Sequence, residues 1–307
     1  MKILIYGSKG WIGSMFLNII NDIVATQQID LKGHINNEIF EGTSRVDNVQ
    51  EITNEIDLIK PTHIISFIGR THGVNFSTID YLEQEGKLVE NIRDNLFSPF
   101  VLAQLCHTRN IHYTYLGTGC IFKYDNNHPY EEEINGFNEE DSPNFFGSSY
   151  SVVKGFTDMM MHMYPNVLNL RIRMPITGSK NSRNFITKIT NYKKICSIKN
   201  SMTVLPELLP LVVEMMRMKT TGTINLTNPG LISHNEILEM YKEIVDPNFT
   251  WDNFTQEEQR NILKADRSNN FMDTTKLESL FNNINISNIK DAVRKCLKEY
   301  NLLSNKN

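Results

Sequence analysis

Apolar residues follow two rhythms along this chain, and the two alternate. "KILIYG" (2–7) is a continuous apolar run that stops at Gly7, the pattern of a parallel strand buried on both faces. "WIGSMFLNIINDIV" (11–24) then spaces its apolar positions three and four apart, as a helix does. "NEIFEG" (37–42) and "HIISFIG" (63–69) read as the next strands, and "VQEITNEIDLIKP" (49–61) between them as an amphipathic helix that stops before Pro61. Residues 83–110 read as one long helix, "HYTYLGT" (112–118) as a strand, residues 148–164 as a helix and "VLNLRIRMP" (167–175) as a strand. The methionines at 159–163 are expected on a helix face packed against the sheet.

Strand and helix in turn call for an α/β fold, a doubly wound parallel sheet with helices on both faces. The rhythm loosens after about residue 175, where "NFITKITNYKK", "ELLPLVVEMMRMK" and "SHNEILEMYKEIV" read as helices joined by loops. The expected organisation is a Rossmann-type domain over 1–175 and a smaller, mainly C-terminal substrate-binding lobe over 176–307, with strands of the second part free to return to the sheet.

Composition narrows the function. A formal net charge of −4 lacks the basic surface of a nucleic-acid binder. No stretch reaches the ~20 apolar residues of a membrane span, and the N-terminus runs straight into a strand with no room for a signal peptide. Cys106, Cys120, Cys196 and Cys296 are scattered without a C-x-x-C pair, which suits a reducing compartment and offers no metal site. A cytoplasmic, soluble protein is expected.

Four motifs carry chemistry. "GSKGWIG" sets Gly7, Gly10 and Gly13 at a strand-to-helix turn with Trp11 and Ile12 between them, the place where backbone N–H groups and a helix N-terminus receive a pyrophosphate. After the second strand, "EGTSRVDN" offers Glu41 for a ribose 2′-hydroxyl and Arg45 for a 2′-phosphate; Arg45 inclines the reading to NADPH, with NADH as the other cofactor. "YSVVK" places Tyr150 and Lys154 one helical turn apart, so that an ammonium can aid a phenol as proton donor. In "LGTGCIFKYD", Thr118 and Cys120 emerge on one face where a strand ends. A lone cysteine there reads equally as a small apolar filler.

With these motifs the chain resembles the extended short-chain dehydrogenase/reductase family. The likeness narrows in "TGCIFKYD", "NEEDSPNFFGSSYSVVK", "LRIRMP", "RNFITKI", "NSMTVLPELLP", "TNPGLISHNEILEMY" and "RSNN". Together these are similar to the bifunctional 3,5-epimerase/4-reductases that complete UDP-L-rhamnose synthesis in plants and some large DNA viruses.

The resemblance implies that Thr118, Tyr150 and Lys154 form a reductase triad, and that Cys120 and Lys188 form an epimerising acid–base pair. It also implies cofactor contacts at Gly69 and Asn95, the latter a structural asparagine in the family, and substrate contacts at Asn95, Arg183, Asn184 and Arg267. The implied substrate is UDP-4-keto-6-deoxyglucose, supplied by an upstream UDP-glucose 4,6-dehydratase. The implied assembly is a homodimer through helices near 80–110 and 148–164. Related dehydratases carry two carboxylates after the triad threonine, whereas Gly119 and Cys120 stand here, so dehydration is not this chain's own reaction. The same chemistry on a dTDP- or GDP-linked sugar, or a non-catalytic binding subunit of the same fold, are the alternative readings.

Overall fold

The structure, a computed structural model, describes residues 1–27, 38–130 and 134–304. Its centre is a six-stranded sheet in the order β2-β1-β3-β4-β5-β7, every neighbouring pair parallel. The strands are β1 (Lys2–Tyr6), β2 (Glu38–Glu41), β3 (His63–Ser66), β4 (His112–Thr118), β5 (Val167–Ile172) and β7 (Gly222–Asn225). A separate two-stranded ribbon pairs β6 (Lys194–Ile195) with β8 (Asp252–Asn253). Asn37, which opens the expected second strand, lies outside the described residues.

Alternation along β1 explains the layers. Ile3 and Ile5 point into a core with Phe16 and Ile20 of α1 (Trp11–Gln27) and Leu208, Leu209 and Val212 of α7 (Leu205–Arg217). Leu4 and Tyr6 point the other way, against Ile52 and Ile56 of α2 (Val49–Ile59) and Leu102 and Cys106 of α4 (Ser98–Thr108). The central strands β1, β3, β4 and β5 are thus buried on both faces, as their apolar runs require, whereas β2 at the sheet edge is half-buried to exposed.

A third core belongs to the C-terminal lobe. It joins Ile186 and Ile189 of α6 (Phe185–Thr190), Ile237 and Leu238 of α8 (His234–Ile244), and Val293 and Leu297 of α11 (Ile289–Ser304). Past residue 175 the chain does not leave the sheet for good: β7 joins it beside β5 and α7 packs on it, as expected of strands free to return. The short helix α9 (Gln256–Ile262) follows in the lobe, while α10 (Thr275–Leu280) packs back against β7 and the sheet core through Leu277.

A helix and a helix face depart from the sequence pattern. The helix expected over 83–110 starts only at Leu88, because Gly86 takes a left-handed φ of +74° and breaks the backbone. It then runs as α3 (Leu88–Ile92), a π-helical turn (Arg93–Phe97) and α4. The methionine cluster does not all face the sheet. In α5 (Ser149–Met161) only Met161 is buried in the core, while Met159 and the following Met163 are 51 % and 78 % exposed.

At the opposite end of the sheet from the site, His63 and His112 are paired neighbours on β3 and β4, their rings 5.3 Å apart. Burial, then His112, pushes the His63 imidazole down to about 4; burial also lowers His112. Both fold as neutral rings, and the unfolded chain binds more protons below its ordinary histidine value of about 6.5. The His63 contribution is therefore complete above about pH 6.5 and is lost as pH falls towards 4, and His112 acts in the same direction. We expect the urea midpoint to drop as pH falls from about 6.5 to 5, the underlying stability changing by up to about 1.4 kcal/mol per pH unit through His63, and His63→Phe to reduce that slope. A midpoint that stays level over this range in the wild type contradicts the prediction.

Candidate active site

The glycine turn after β1 is built for close backbone approach. Gly7 has φ +77°, and a Cβ there would lie 3.0 Å from the Phe67 carbonyl carbon. At Gly13 a Cβ would stand 2.2 Å from the Gly7 carbonyl oxygen, so α1 can start this tightly against β1 only with glycine. The result is a cradle whose backbone donors at the α1 N-terminus suit the pyrophosphate of a dinucleotide. Gly10, Trp11, Ile12 and Gly13 line the cavity that opens above it, and Gly69 lines it from beyond β3.

The β2 end separates the two cofactor candidates. Glu41 accepts a 2.6 Å hydrogen bond from the buried hydroxyl of Ser8, inside the glycine turn. Arg45 points outward, with a side chain 67 % exposed that forks onto Asp47 through Nε and Nη2, both at 2.9 Å. Arg93 also reaches Asp47, at 3.9 Å, so two guanidiniums share one carboxylate there.

The cavity, of about 800 Å³, runs from the glycine turn to the C-terminal lobe. Thr118, Cys120, Tyr150, Lys154, Lys188, Arg183, Arg267 and Asn95 all line it. Strand β4 ends at Thr118, in register with Ile172 of β5. The Thr118 hydroxyl accepts from the Cys120 amide (3.1 Å), donates weakly to the Ile172 carbonyl (3.4 Å), and lies where it can favour the Tyr150 phenolate. Cys120 is half-buried against Tyr81, Leu82 and Tyr150.

On α5, capped by Ser148 at the Ser151 amide (3.0 Å), Tyr150 and Lys154 both turn inward. Burial, and secondarily the Cys120 thiol, push the Tyr150 pKa well up, so at neutral pH it holds the proton that a donor must hold. Lys154 donates to the Tyr115 hydroxyl and towards the Leu116 carbonyl (3.5 Å). Burial lowers its ammonium to about 8, with Asp158 and Cys120 opposing.

Asn95 sits in the π-helical turn and is fully engaged. It accepts from the Arg70 amide and donates to the Arg70 carbonyl and to Asn91, each at 2.9 Å. The wide turn leaves its own carbonyl to Thr157 Oγ1 (2.6 Å). It pins the loop after β3 to the central helices. Asn184 stands apart from the cavity, fully buried as the cap of α6, where it donates to the carbonyls of Thr177 (2.9 Å) and Ser179 (2.7 Å).

One turn into α6, Lys188 faces the cavity near two guanidiniums. Burial, then Arg183, then Arg267, lower its pKa from the ordinary lysine value. Lys188 is thereby easier to deprotonate than a surface lysine, and three cations on one wall suit a diphosphate.

Two residues of this wall carried no motif. His72 accepts from Arg183 Nη2 at 2.6 Å, and burial followed by Arg183, Arg70 and Lys188 keeps the ring neutral enough to do so. Asp80, in a 3₁₀ turn at Ile79–Glu83, accepts from Thr78 Oγ1 (2.6 Å), from the amides of Lys264 and Ala265 (3.1 Å each), and from Arg267. Burial works against its charge, but these donors hold it below the usual carboxylate range. Asp80 thus ties the loop after β3 to the C-terminal lobe across 187 residues of sequence. Sequence offered only the position of "GRTHG" directly after a strand as a signal for His72, and none for Asp80.

No family profile matches the chain. It is 55 % identical over 298 residues to a protein of Acanthamoeba polyphaga mimivirus, covering 96 % of this chain and 98 % of that one. The crystal structure of the mimivirus L780 UDP-rhamnose synthase superposes with a TM-score of 0.88 at 53 % identity, covering 97 % and 99 % of the two chains. An Arabidopsis thaliana bifunctional dTDP-4-dehydrorhamnose 3,5-epimerase/reductase is 42 % identical over 299 residues, 97 % of this chain and 93 % of that one. The chain belongs to the bifunctional nucleotide-sugar 3,5-epimerase/4-reductases.

Within that family the turn after β4 gains a structural explanation. A side chain at Gly119 would begin 2.9 Å from Met272 Sδ and 3.0 Å from Arg173 Cγ. An epimerase/reductase packed this way has no room for a carboxylate at that place, and the thiol at 120 is the group that reaches the cavity. Among the described residues no helix is long and apolar enough to cross a membrane, and none of their His, Cys, Asp and Glu clusters could hold a metal ion.

Proposed function

We propose that this enzyme inverts C3 and C5 of UDP-4-keto-6-deoxy-D-glucose and reduces C4 with NADPH to give UDP-L-rhamnose. The observation that carries the reading is the placement of Cys120 and Lys188 on the same cavity as the Thr118–Tyr150–Lys154 triad. A C4 ketone acidifies the hydrogens on C3 and C5, since the carbanion delocalises onto the carbonyl oxygen. Inversion needs one proton-transfer group on each face of the ring, and a thiol and a lysine of lowered pKa can supply them. Tyr150, protonated and beside Thr118, can bond the C4 oxygen as an enolate forms and give its proton once C4 is reduced. Lys154 sits one turn away to favour the phenolate left behind.

Bound NADPH supplies the hydride to C4. Gly10, Trp11, Ile12 and Gly13 would hold its pyrophosphate, with Gly69 against it from the far side. Arg183 and Arg267 would meet the diphosphate of the sugar nucleotide. Asn95 and Asn184 support this site through the loops they pin.

The 4-keto substrate must come from a dehydratase, and UDP-glucose 4,6-dehydratase is the proposed metabolic partner. In support, an Arabidopsis thaliana trifunctional protein whose name includes that activity is 43 % identical over 40 % of its own length. The deciding experiment is incubation with UDP-4-keto-6-deoxyglucose and NADPH and identification of the sugar by NMR; an unchanged ketone would refute the reading. Because the Arabidopsis bifunctional relative is named for a dTDP-linked sugar, the dTDP substrate belongs in the same assay, and a higher kcat/KM for it would reassign the nucleotide.

For the cofactor, the Arg45 and Arg93 pair around Asp47 supports NADPH, because a 2′-phosphate can take over the guanidinium that Asp47 now holds. Arg45→Ala is expected to raise KM for NADPH several-fold and leave NADH nearly unchanged. Equal losses with both would return Arg45 to a loop role and leave Glu41 to set the preference.

We further place the enzyme in the cytoplasm as a homodimer. Leu88, Val89 and Ile92 of α3 are exposed, as are Phe156 and Met159 of α5, which packs beside it. Surface of this kind on two adjacent helices suits a second copy. Val89→Glu combined with Phe156→Glu should turn a dimer into a monomer by light scattering; an unchanged mass excludes this face.

A further inference from the structure

The two arginines of "LRIRMP" are both buried, but only one has a counter-charge. Arg171, on β5, forks onto Asp158 through Nε (2.9 Å) and Nη2 (2.7 Å). Arg173, just past the strand, is 1 % exposed and, among the described residues, bonds only to neutral acceptors. Its Nη1 donates to the Gly119 carbonyl (3.0 Å) and the Ser268 hydroxyl (2.9 Å), and its Nη2 to the Asn200 side-chain carbonyl (2.7 Å) and the Ser268 carbonyl (3.0 Å). Its Nε has no partner among the described residues. An unpaired guanidinium so deep is costly unless an anion forms nearby.

The turn that Arg173 grips is the one that carries the thiol. The Gly119 carbonyl accepts from Arg173, from Asn270 Nδ2 (2.8 Å) and from the Phe122 amide (3.3 Å), and Cys120 is the next residue. Cys120 packs against Tyr81 of the 3₁₀ turn and Tyr150 of α5, while the cations of its surroundings are Arg173, bonded to the residue before it, and Lys154, one turn along α5 from Tyr150. Tyr81 donates to Glu90, and Tyr150 is a neutral phenol. Lys154 is committed to Tyr115, and burial brings its pKa to about 8. A guanidinium keeps its charge throughout the working range.

We propose that Arg173 is a positioning residue for the epimerising thiol: it clamps the Gly119 carbonyl so that Cys120 faces the cavity, and its permanent charge stabilises the Cys120 thiolate. The proposal deepens the reading of Cys120 as a member of the acid–base pair and rests on it for its catalytic meaning. Proton transfer is the only chemistry involved; Arg173 neither gains nor loses a proton.

The test is the rate at which iodoacetamide alkylates Cys120 in the intact protein, followed by peptide mass spectrometry from pH 6 to pH 10. Cys106, Cys196 and Cys296 are buried and serve as internal references. Arg173→Gln should slow Cys120 alkylation about tenfold at pH 7, equivalent to a shift of roughly one pH unit, with the gap closing by pH 10. Arg173→Lys, which keeps the charge, should stay within about threefold of wild type. Ser268→Asp supplies the missing carboxylate beside the guanidinium and should slow alkylation while leaving Arg173 in place, so the question stays decidable if Arg173→Gln fails to fold. Wild-type alkylation profiles in Arg173→Gln or in Ser268→Asp overturn the proposal, as does a Lys variant as slow as the Gln one. Cys120→Ser, assayed alongside for deuterium wash-in at C3 and C5, separates the two failures. Wild-type wash-in there refutes the pair itself, whereas the alkylation series reports on Arg173 either way.

Discussion

Tyr150→Phe is expected to lower C4 reduction by about 10²- to 10⁴-fold, the range in which a positioned proton donor contributes. The alkoxide produced at C4 needs a proton at the moment it forms. Tyr150 is buried, keeps its proton at neutral pH and sits beside Thr118, so it is the group placed to give one. Removing its hydroxyl leaves Thr118 with the Cys120 amide and the Ile172 carbonyl as partners, so no buried donor is orphaned and the fold should survive. NADPH consumption in a single turnover is the measurement, with thermal melting as the control. Consumption near the wild-type rate would remove Tyr150 from the reaction. Label entry at C3 and C5 should suffer less than reduction, since the Thr118 hydroxyl can turn from its weak 3.4 Å bond with Ile172 to the enolate oxygen.

A second large effect should follow from Cys120→Ser. The change preserves approximate size but replaces a group of ordinary pKa about 8.5 with a far weaker acid. A thiol that merely fills the space between Tyr81, Leu82 and Tyr150 would tolerate this with a modest, uniform loss. A member of the acid–base pair would not. In D₂O without NADPH, wild type should wash label into both C3 and C5, and Cys120→Ser should fail at one or both positions by at least about 10²-fold. Lys188→Met should block inversion as well, because inversion needs both faces served. Reduction of the ketone should persist in Cys120→Ser, as Thr118, Tyr150 and Lys154 remain. Label uptake at the wild-type rate would return Cys120 to packing.

What the chain alone determined lies within a few residues of itself. Gly7, Gly10 and Gly13 mark the turn because α1 must start against the Gly7 carbonyl, a contact set by positions six apart. Tyr150 and Lys154 share a face because the helix repeats every 3.6 residues, and Thr118 and Cys120 share one because an extended backbone repeats every two. The alternation of apolar runs with helical spacing likewise led to the parallel sheet and its two helical layers. The pairing of Cys120 with Lys188 came from resemblance, since no local rhythm links a strand end to a helix across 68 residues.

Tertiary structure decided the rest, through partners that meet only when loops close. Arg45 and Glu41 are four residues apart, yet one turns to Asp47 and the other to Ser8. Asn184, adjacent to a cavity arginine, is consumed as a helix cap. Met159 and Met163 obey helical spacing but lie on the face that the sheet does not cover. Arg171 and Arg173 are identical side chains two positions apart, and only the folded chain gives one a carboxylate and leaves the other beside a thiol. Periodicity records which face a residue occupies. Whether that face meets a charge, a carbonyl or open space depends on segments far away in sequence, and this is settled by packing.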